Sequence, residues 1–269
     1  MAIKNNTNHF GETSTLRIST KTDGTKTILD DIYFTSPYKL LPPFYTDNSP
    51  FAHAMMISVS AGLMEGDRQE VYIKVNKDTN LICTSQAFEK IHKMNNGDAK
   101  RTIKLEVDSN ATLWYEPLPA IPFADSAFTN HVDIRLKDDT ARFALTDIIC
   151  AGRIAYGEAF KYKYYNSKIT AHISNELVFF DNTHFNPAKC QLNNIGMFEG
   201  YSHLATILLL NFTLPTDKQN DFYCEINKNP DMTGGISEID HGFVIKILGK
   251  NAQQLQNITN YLKNILNIF

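Results

Sequence analysis

The stretch Val71-Tyr72-Ile73-Lys74-Val75 alternates apolar and polar side chains with a period of two. Such alternation is typical of a β-strand that has one buried face and one solvent-exposed face. Turn-forming residues separate this stretch from others of the same kind at intervals of roughly ten residues, as in a β-sandwich or stacked-sheet protein. We therefore expect half-buried antiparallel strands. The other alternating stretches lie at residues 103–107, 132–136 and 160–164.

The last third of the chain changes character. Apolar runs at residues 204–210 and 243–248 predict two buried strands. Between them, Thr216 begins a segment that predicts a helix with Phe222, Tyr223 and Ile226 on one side. A second amphipathic helix is predicted over residues 251–269, and its apolar stripe is expected to pack on the chain's own sheet. That stripe consists of Leu255, Ile258, Leu262, Ile265 and Phe269.

These patterns predict the fold class. We expect a mainly β protein in which stacked antiparallel or mixed β-sheets form one β-rich unit, with two helices in the C-terminal third. No internal repeat or low-complexity linker interrupts the sequence. The expected organisation is therefore a single domain over residues 1–269, β-rich over 10–200 and built of strands and helices over 201–269.

Composition and charge narrow the functional class. The chain has 269 residues, of which 43% are hydrophobic, so it can bury a core without disulfide bonds. A net charge of −3 marks no surface for nucleic acid or anionic membranes. Residues 1–9 contain no apolar segment of a secretory signal. We expect a cytoplasmic protein with reduced thiols and neither a nucleic-acid nor a membrane partner.

Motifs of common enzymes are absent from the sequence. It contains no G-x-S-x-G elbow, no phosphate-binding P-loop and no H-E-x-x-H metal motif. The eight histidines include no pair spaced two or four residues apart, and the four cysteines form no C-x-x-C pair. We expect a protein that is not an enzyme and has no tightly bound cofactor and no stable metal site.

Four short strings stand out in a fixed order. The first, SAGLMEGDR at residues 60–68, places Gly62 and Gly66 around an apolar pair, directly before Asp67. Glycine allows positive φ and lets another chain segment pass close by, so this string fixes the direction of the aspartate. The other three strings are TSQAFEKI at 84–91, PLPAIPF at 117–123 and GRIAYGEAF at 152–160.

Three carboxylates in or near these strings are candidate site residues: Asp67, Asp147 and Glu158. Asp147 lies in an apolar run, where an unpaired carboxylate is costly to bury, so it must point outward or find a donor. Arg153 and Lys90 are the expected partners. Two interpretations stay open, internal ion pairs that stabilise turns and a polar passage that holds a cation weakly.

The proline-rich string at 117–123 also leaves two interpretations open. Prolines hold the chain extended and donate no ladder hydrogen bond, as in a rigid connector. The alternative is an exposed apolar docking surface. Trp114, just before the string, is expected to lie half-buried in the core.

The order of the four strings resembles the UreD family of urease accessory proteins, called UreH in helicobacters. LLPP at 40–43, LNN at 192–194 and MFEGY at 197–201 also resemble that family. The resemblance runs from about Leu16 to the C-terminal helix. It implies stacked β-sheets with a few helices and a non-catalytic scaffold that binds UreF and, through UreF, the nickel-carrying GTPase UreG.

The resemblance further implies that this assembly docks on apo-urease so that nickel and carbon dioxide reach the di-nickel site, with a homodimer of the complex left open. Nickel would cross an internal water-filled route as a transient Ni²⁺ cargo. Asp67, Asp147 and Glu158 would be transient, water-mediated ligands, supported by Lys90 and Arg153. The family often has glutamate at the position of Asp147, so the shorter side chain sets this chain apart.

Two other classes are weighed against this resemblance. A β-sandwich carbohydrate-binding module would stack sugar rings on exposed aromatic residues, for which Tyr162, Tyr164 and Tyr165 are the candidates. A β-rich hydrolase would use Asp147 and Glu158 as an acid/base pair in an open cleft.

Overall fold

The computed structural model describes residues 4–6, 11–46 and 49–268. Phe269 of the predicted helix stripe and most of the N-terminal segment 1–9 lie outside the described residues. Two helices longer than one turn are found in the described part, α1 (Thr216–Lys228) and α2 (Ala252–Ile265). The strands are β1 (Lys4–Asn6), β2 (Ser14–Asp23), β3 (Lys26–Thr35), β4 (Tyr38–Leu40), β5 (Ala52–Ser58), β6 (Arg68–Val75), β7 (Asn80–Gln86), β8 (Glu89–Ile91), β9 (Ala99–Val107), β10 (Thr112–Glu116), β11 (Ala120–Pro122), β12 (Ala127–Leu136), β13 (Arg142–Cys150), β14 (Tyr164–Ile173), β15 (Glu176–Phe185), β16 (His203–Leu210), β17 (Met232–Ile239) and β18 (Gly242–Gly249).

The strands form two stacked sheets. Sheet A has the order β1-β3-β2-β6-β9-β12-β14-β15, and sheet B has the order β17-β18-β16-β13-β10-β7-β5-β4. The short strands β8 and β11 pair with each other, and β11 also pairs with β13 of sheet B. With the two helices near the C-terminus, this architecture confirms the predicted mainly β class.

The expectation that the alternating strands pair antiparallel is wrong for most of them. Strands β6, β9, β12 and β14 pair parallel, as do β5, β7, β10 and β13. From β5 to β14 the chain passes back and forth between the sheets, so successive strands of one sheet start from the same end. Alternation reports which face is buried and carries no information on strand direction. The sheets are mixed because pairs such as β2 with β3 are antiparallel.

The main core lies between the sheets and is built in rows. The pairing register places Ile73, Leu105, Ile134 and Ala171 side by side across four strands of sheet A. All four are fully buried. Each row removes apolar surface from water at roughly 25 cal/mol per Å², which makes this layer the largest source of stability.

Both helices pack on the outer face of sheet B. Leu255 and Leu262 of α2 are completely buried, and α2 contacts strands β13 and β18, which confirms that the stripe covers the chain's own sheet. The side chain of Asn251 accepts a hydrogen bond of 2.7 Å from the backbone N–H of Gln253 and caps the helix start. In α1 the prediction for Tyr223 is wrong: this side chain is 50% exposed.

Two local predictions are also wrong. The stretch 160–164 is not a strand, because Phe160 has φ of +55°, which an extended chain does not adopt; β14 begins only at Tyr164. Trp114 is fully rather than half buried, since it faces the helix layer with Phe212 at a ring-centroid distance of 6.1 Å. No helix in the described residues is long and apolar enough to cross a membrane.

Candidate functional site

The four strings singled out in the sequence meet at one end of the sandwich. The connections from sheet B to sheet A are residues 59–67, 87–98, 117–126 and 151–163. Because the strands of each sheet that they join run parallel, all four connections lie at the same end, which we call the loop end. The connections that lead back from β6, β9 and β12 of sheet A to sheet B are short and lie at the opposite end, the turn end; they are residues 76–79, 108–111 and 137–141.

Two glycines allow the loops to approach each other closely. A Cβ on Gly62 would lie 2.3 Å from the carbonyl oxygen of Lys90, and Gly62 has φ of +136°. The neighbouring N–H of Leu63 donates a 2.7 Å hydrogen bond to that same oxygen. At Gly152 a Cβ would lie 2.2 Å from the carbonyl oxygen of Glu158. The prediction that glycine lets another segment pass close by is confirmed.

A carboxylate fastens the first loop to the second. Glu65 accepts backbone hydrogen bonds from Asn95, Asn96 and Gly97 at 2.5, 3.2 and 2.8 Å. These bonds lower the pKa of Glu65, the bond from Asn95 most of all. The loops therefore form a fixed polar surface.

One inward row of sheet A near the loop end is polar. Between the main apolar core and a further buried row around Phe128, the register aligns Gln69, Arg101, Asn130 and Ser167 across β6, β9, β12 and β14. Gln69, Asn130 and Ser167 are each at most 5% exposed. Such a row is tolerated in a core only when its members are hydrogen-bonded or face a wet space.

The facing row of sheet B is partly polar. Ser85 lies on β7 next to Met56, and Asp147 on β13 lies opposite Thr206 of β16. Between the two sheets at this end is a cavity of about 120 Å³, a space for a few water molecules. Its polar lining includes Ser85, Glu89, Arg101, Tyr115 and Asp147.

An ion pair sits in this cavity. The Arg101 Nη1 atom lies 3.0 Å from Glu89 Oε2, and the side chains are only 11% and 19% exposed. Arg101 also donates from Nε to Asn130 Oδ1 at 3.1 Å. Burial raises the pKa of Glu89, and the charge of Arg101 opposes that rise.

Asp147 lines the same cavity. Burial raises the pKa of its carboxyl group, and the positive charge of Arg101 opposes the shift. The expected pair between Asp147 and Arg153 is not found in the described part of the chain, since Arg153 binds another carboxylate. Asp147 is therefore a carboxylate that faces a small wet space, with Arg101 as the main positive charge acting on it.

Asp67 lies beside this cluster but holds a turn. Its Oδ2 atom accepts a 2.7 Å hydrogen bond from the backbone N–H of Met64. Its negative charge contributes to the raised pKa of Glu89, so the two carboxylates are within electrostatic reach. Lys90 is exposed to solvent and lines the wall of the cavity.

Glu158 lies at the same end but does not line the cavity. Its Oε2 atom lies 2.7 Å from Arg153 Nε, and its Oε1 atom pairs with Nη2 of the same arginine. The Arg153 hydrogen bonds lower the pKa of Glu158, and the backbone N–H of Ala124 adds a 3.2 Å bond. The internal ion-pair interpretation therefore holds for Glu158, and the fold brings Asp67 and Asp147, but not Glu158, towards one cavity.

The sequence analysis did not identify Arg101 or Glu89 as candidate site residues. Glu89 appears there only as part of the string at 84–91. A signal for Arg101 was present: the alternation Ile103, Leu105, Val107 continues backwards to position 101, which is an inward position of the same strand. A charged residue at an inward position marks a polar place in the core. For Glu89, which lies on the three-residue strand β8, no such signal exists.

The structure does not support the two other functional classes, a carbohydrate-binding module and a β-rich hydrolase. Tyr162 and Tyr165 are only 3% and 1% exposed, so the aromatic platform expected of a carbohydrate-binding module is wrong. The acid/base pair of a hydrolase is wrong too, because Glu158 is bound by Arg153 outside the cavity that holds Asp147. In the described residues, no group of three or more His, Cys, Asp or Glu side chains is placed to hold a metal ion.

The fold and the cavity define a two-layered β protein with a small polar chamber at one end of its core. Comparison with known proteins gives the family. The family model of the UreD urease accessory protein matches residues 12–267. The chain belongs to this family, as the order of the four strings predicted.

Curated relatives agree over almost the full length. The chain is 35% identical over 260 residues to the urease accessory protein UreD of Acetivibrio thermocellus, which covers 96% of this chain and 99% of that protein. It is 34% identical over 247 residues to the urease accessory protein UreH of Helicobacter hepaticus, which covers 91% of this chain and 95% of that protein.

Proposed function

We propose that this protein is a non-catalytic scaffold in urease maturation. It binds UreF, through UreF the GTPase UreG, and with them the subunits of apo-urease, in the cytoplasm. The observation that carries the proposal is the family match over residues 12–267, together with the convergence of the first three family-like strings on one polar cavity. A homodimer of the whole complex is compatible with this scaffold role.

The cavity gives the scaffold a way to take part in nickel transfer. Ni²⁺ accepts oxygen ligands but binds nitrogen and sulfur ligands more strongly, so a site of carboxylates and water releases it readily. Asp147 and Glu89 supply carboxylates inside the cavity, and Asp67 lies beside them. Ni²⁺ is a transient cargo in this proposal.

Glu158 and its supporting residue Arg153 take a different place in the proposal. Their ion pair holds the loop 151–163 at the same end as the cavity. We assign them to the approach of the cavity, where Lys90 is also exposed, and we assign transient ligation inside it to Asp147.

The first experiment deletes the gene in its host and measures nickel per active site in the purified urease. We expect abundant urease that lacks nickel and activity. Fully metallated, active urease in the deletion strain would contradict the maturation role as a whole.

A matched pair of variants then tests the passage. Asp147→Asn removes the cavity carboxylate, whereas Asp133→Asn removes a carboxylate that pairs with Arg135 at 3.0 Å outside the cavity. We expect Asp147→Asn alone to lower the nickel content of urease several-fold, with complex assembly retained on gel filtration. Loss of assembly would make Asp147 a structural residue, and normal nickel content would remove it from the passage.

A further inference from the structure

The cavity contains a positively charged side chain, which repels any cation that enters the cavity. Arg101 points inward from β9, pairs with Glu89 at 3.0 Å and donates to Asn130 at 3.1 Å. Its guanidinium carbon lies 5.4 Å from the ring centroid of Phe128. Three different contacts therefore hold this guanidinium group in place, and arginine stays charged at any physiological pH.

Arg101 partly neutralises the negative charge of the carboxylates around it. Glu89 and Asp147 line the cavity, and Asp67 acts electrostatically on Glu89. Arg101 is the charged nitrogen group that acts on both cavity carboxylates. With Arg101 in place, the two ionised carboxylates carry one uncompensated negative charge; without it they would carry two.

A second observation points to a space that is built to hold something polar. Tyr165 is 1% exposed, and its hydroxyl group has no hydrogen-bond partner among the described residues. The charges of Asp147, Arg101 and Glu89 all act on this phenol, so it lies beside the same cluster. A buried hydroxyl without a partner is uncommon and calls for an explanation such as a bound water or ion.

We propose that Arg101 is a resident cation that keeps the affinity of this cavity for Ni²⁺ low enough for the ion to be released. The inference rests on the proposed function and concerns the regulation of the same site. An incoming divalent ion meets a fixed positive charge a few ångströms away and competes with Arg101 for the Glu89 carboxylate. In a partly wet interior both effects weaken binding substantially.

The consequence is that removing the charge should trap the metal. In Arg101→Gln, Glu89 and Asp147 are both free to ligate a cation, and water and the Tyr115 hydroxyl group of the cavity lining complete an oxygen site. We expect the purified full-length chain to bind NiCl₂ roughly tenfold more tightly or better in calorimetric titration, because one unit charge at short range is removed. Arg135→Gln, which removes an arginine that is 60% exposed on β12, is the matched control and should bind like the native chain.

A second variant covers the case in which Arg101→Gln does not fold. Asn130→Asp has nearly the same shape, keeps the acceptor for Arg101 Nε and adds a negative charge while Arg101 stays in place. It should also tighten NiCl₂ binding. Circular dichroism and a thermal melt identify which variants are folded.

The outcomes separate this inference from the proposed function. Tighter binding in Arg101→Gln or Asn130→Asp, with less nickel delivered to urease in the cell, supports the resident-cation role. Native-like NiCl₂ affinity in the folded variants overturns it, even if gene deletion still abolishes urease activation. Active urease in the deletion strain would instead remove the maturation role and leave the affinity measurement to stand alone.

Discussion

The same strands run through the loop end and the turn end of the sandwich, but the two ends differ in their inward side chains and in the length of their connections. At the turn end the inward row consists of Val75, Val107 and Leu136, all nearly fully buried. Short connections close it, with Asp78 and Asn110 in left-handed conformations at φ of +59° and +55°. Towards the loop end one inward row is polar, the connections are long, and a wet cavity lies between the main apolar core and a second buried cluster around Phe128 and Phe198.

This difference shows where stability and function lie in the molecule. Rows of apolar side chains stabilise the sandwich from its middle to the turn end. In two inward rows near the loop end, a charged side chain stands where the other rows have apolar ones. These side chains are Arg101 on β9 and Asp147 on β13. Buried charges contribute little net stability, so their presence indicates a functional reason.

The largest expected effect comes from the core that both ends share. Leu105→Ala removes a fully buried side chain from the middle of the apolar rows and should lower the free energy of unfolding by about 3 to 5 kcal/mol. Leu177→Ala makes the same substitution at a side chain that is 57% exposed and should change the free energy of unfolding little. Urea denaturation measures both. Equal effects would show that the rows are not the main source of stability.

A smaller effect should separate two glycines of one loop. In Gly62→Ala the new methyl group meets the Lys90 carbonyl oxygen and a strained φ, so we expect a loss of about 2 to 4 kcal/mol. Gly66 has φ of +89° but nothing within 4 Å, so Gly66→Ala should lose only about 1 to 2 kcal/mol. Similar losses in the same urea experiment would mean that the close approach of the loops does not hold the loop end together.

The smallest effect is an opposite pH response of the two ends. At the turn end, hydrogen bonds from Ser109 and Thr140 lower the pKa of Asp138 to about 2. A lowered carboxyl pKa stabilises the fold above the unfolded value of about 3.9, and this stability is lost as the pH falls through about 2. Asp138→Asn should therefore flatten the acid limb of a stability–pH curve.

At the loop end the sign reverses. Burial raises the pKa of Asp147, so the protonated form is the one that the fold favours. The associated stability is present below the unfolded value of about 3.9 and is lost as the pH rises through the higher folded value. Asp147→Asn should thus raise the urea midpoint at neutral pH while it lowers nickel transfer. A lower midpoint would show that the carboxylate stabilises the fold.

The sequence by itself determined several of the strands, the two helices and the family. Period-two alternation marks which side of Ile73 or Leu105 is buried, and the spacing of Leu255, Ile258 and Leu262 marks the face of α2, because both periods are properties of the local backbone. The order of the four strings identified the family before any contact was known. Strand direction could not be read, since burial is the same for parallel and antiparallel neighbours.

Only the tertiary structure decided the site. Glu89 and Arg101 lie on different segments and meet because parallel strands bring all four loops to one end. The partner of Arg153 turned out to be Glu158, five residues away, and Asp147 was left facing the cavity. Which charges pair depends on distances of a few ångströms between segments far apart in the chain, and the local periodicity of a sequence carries no record of such distances.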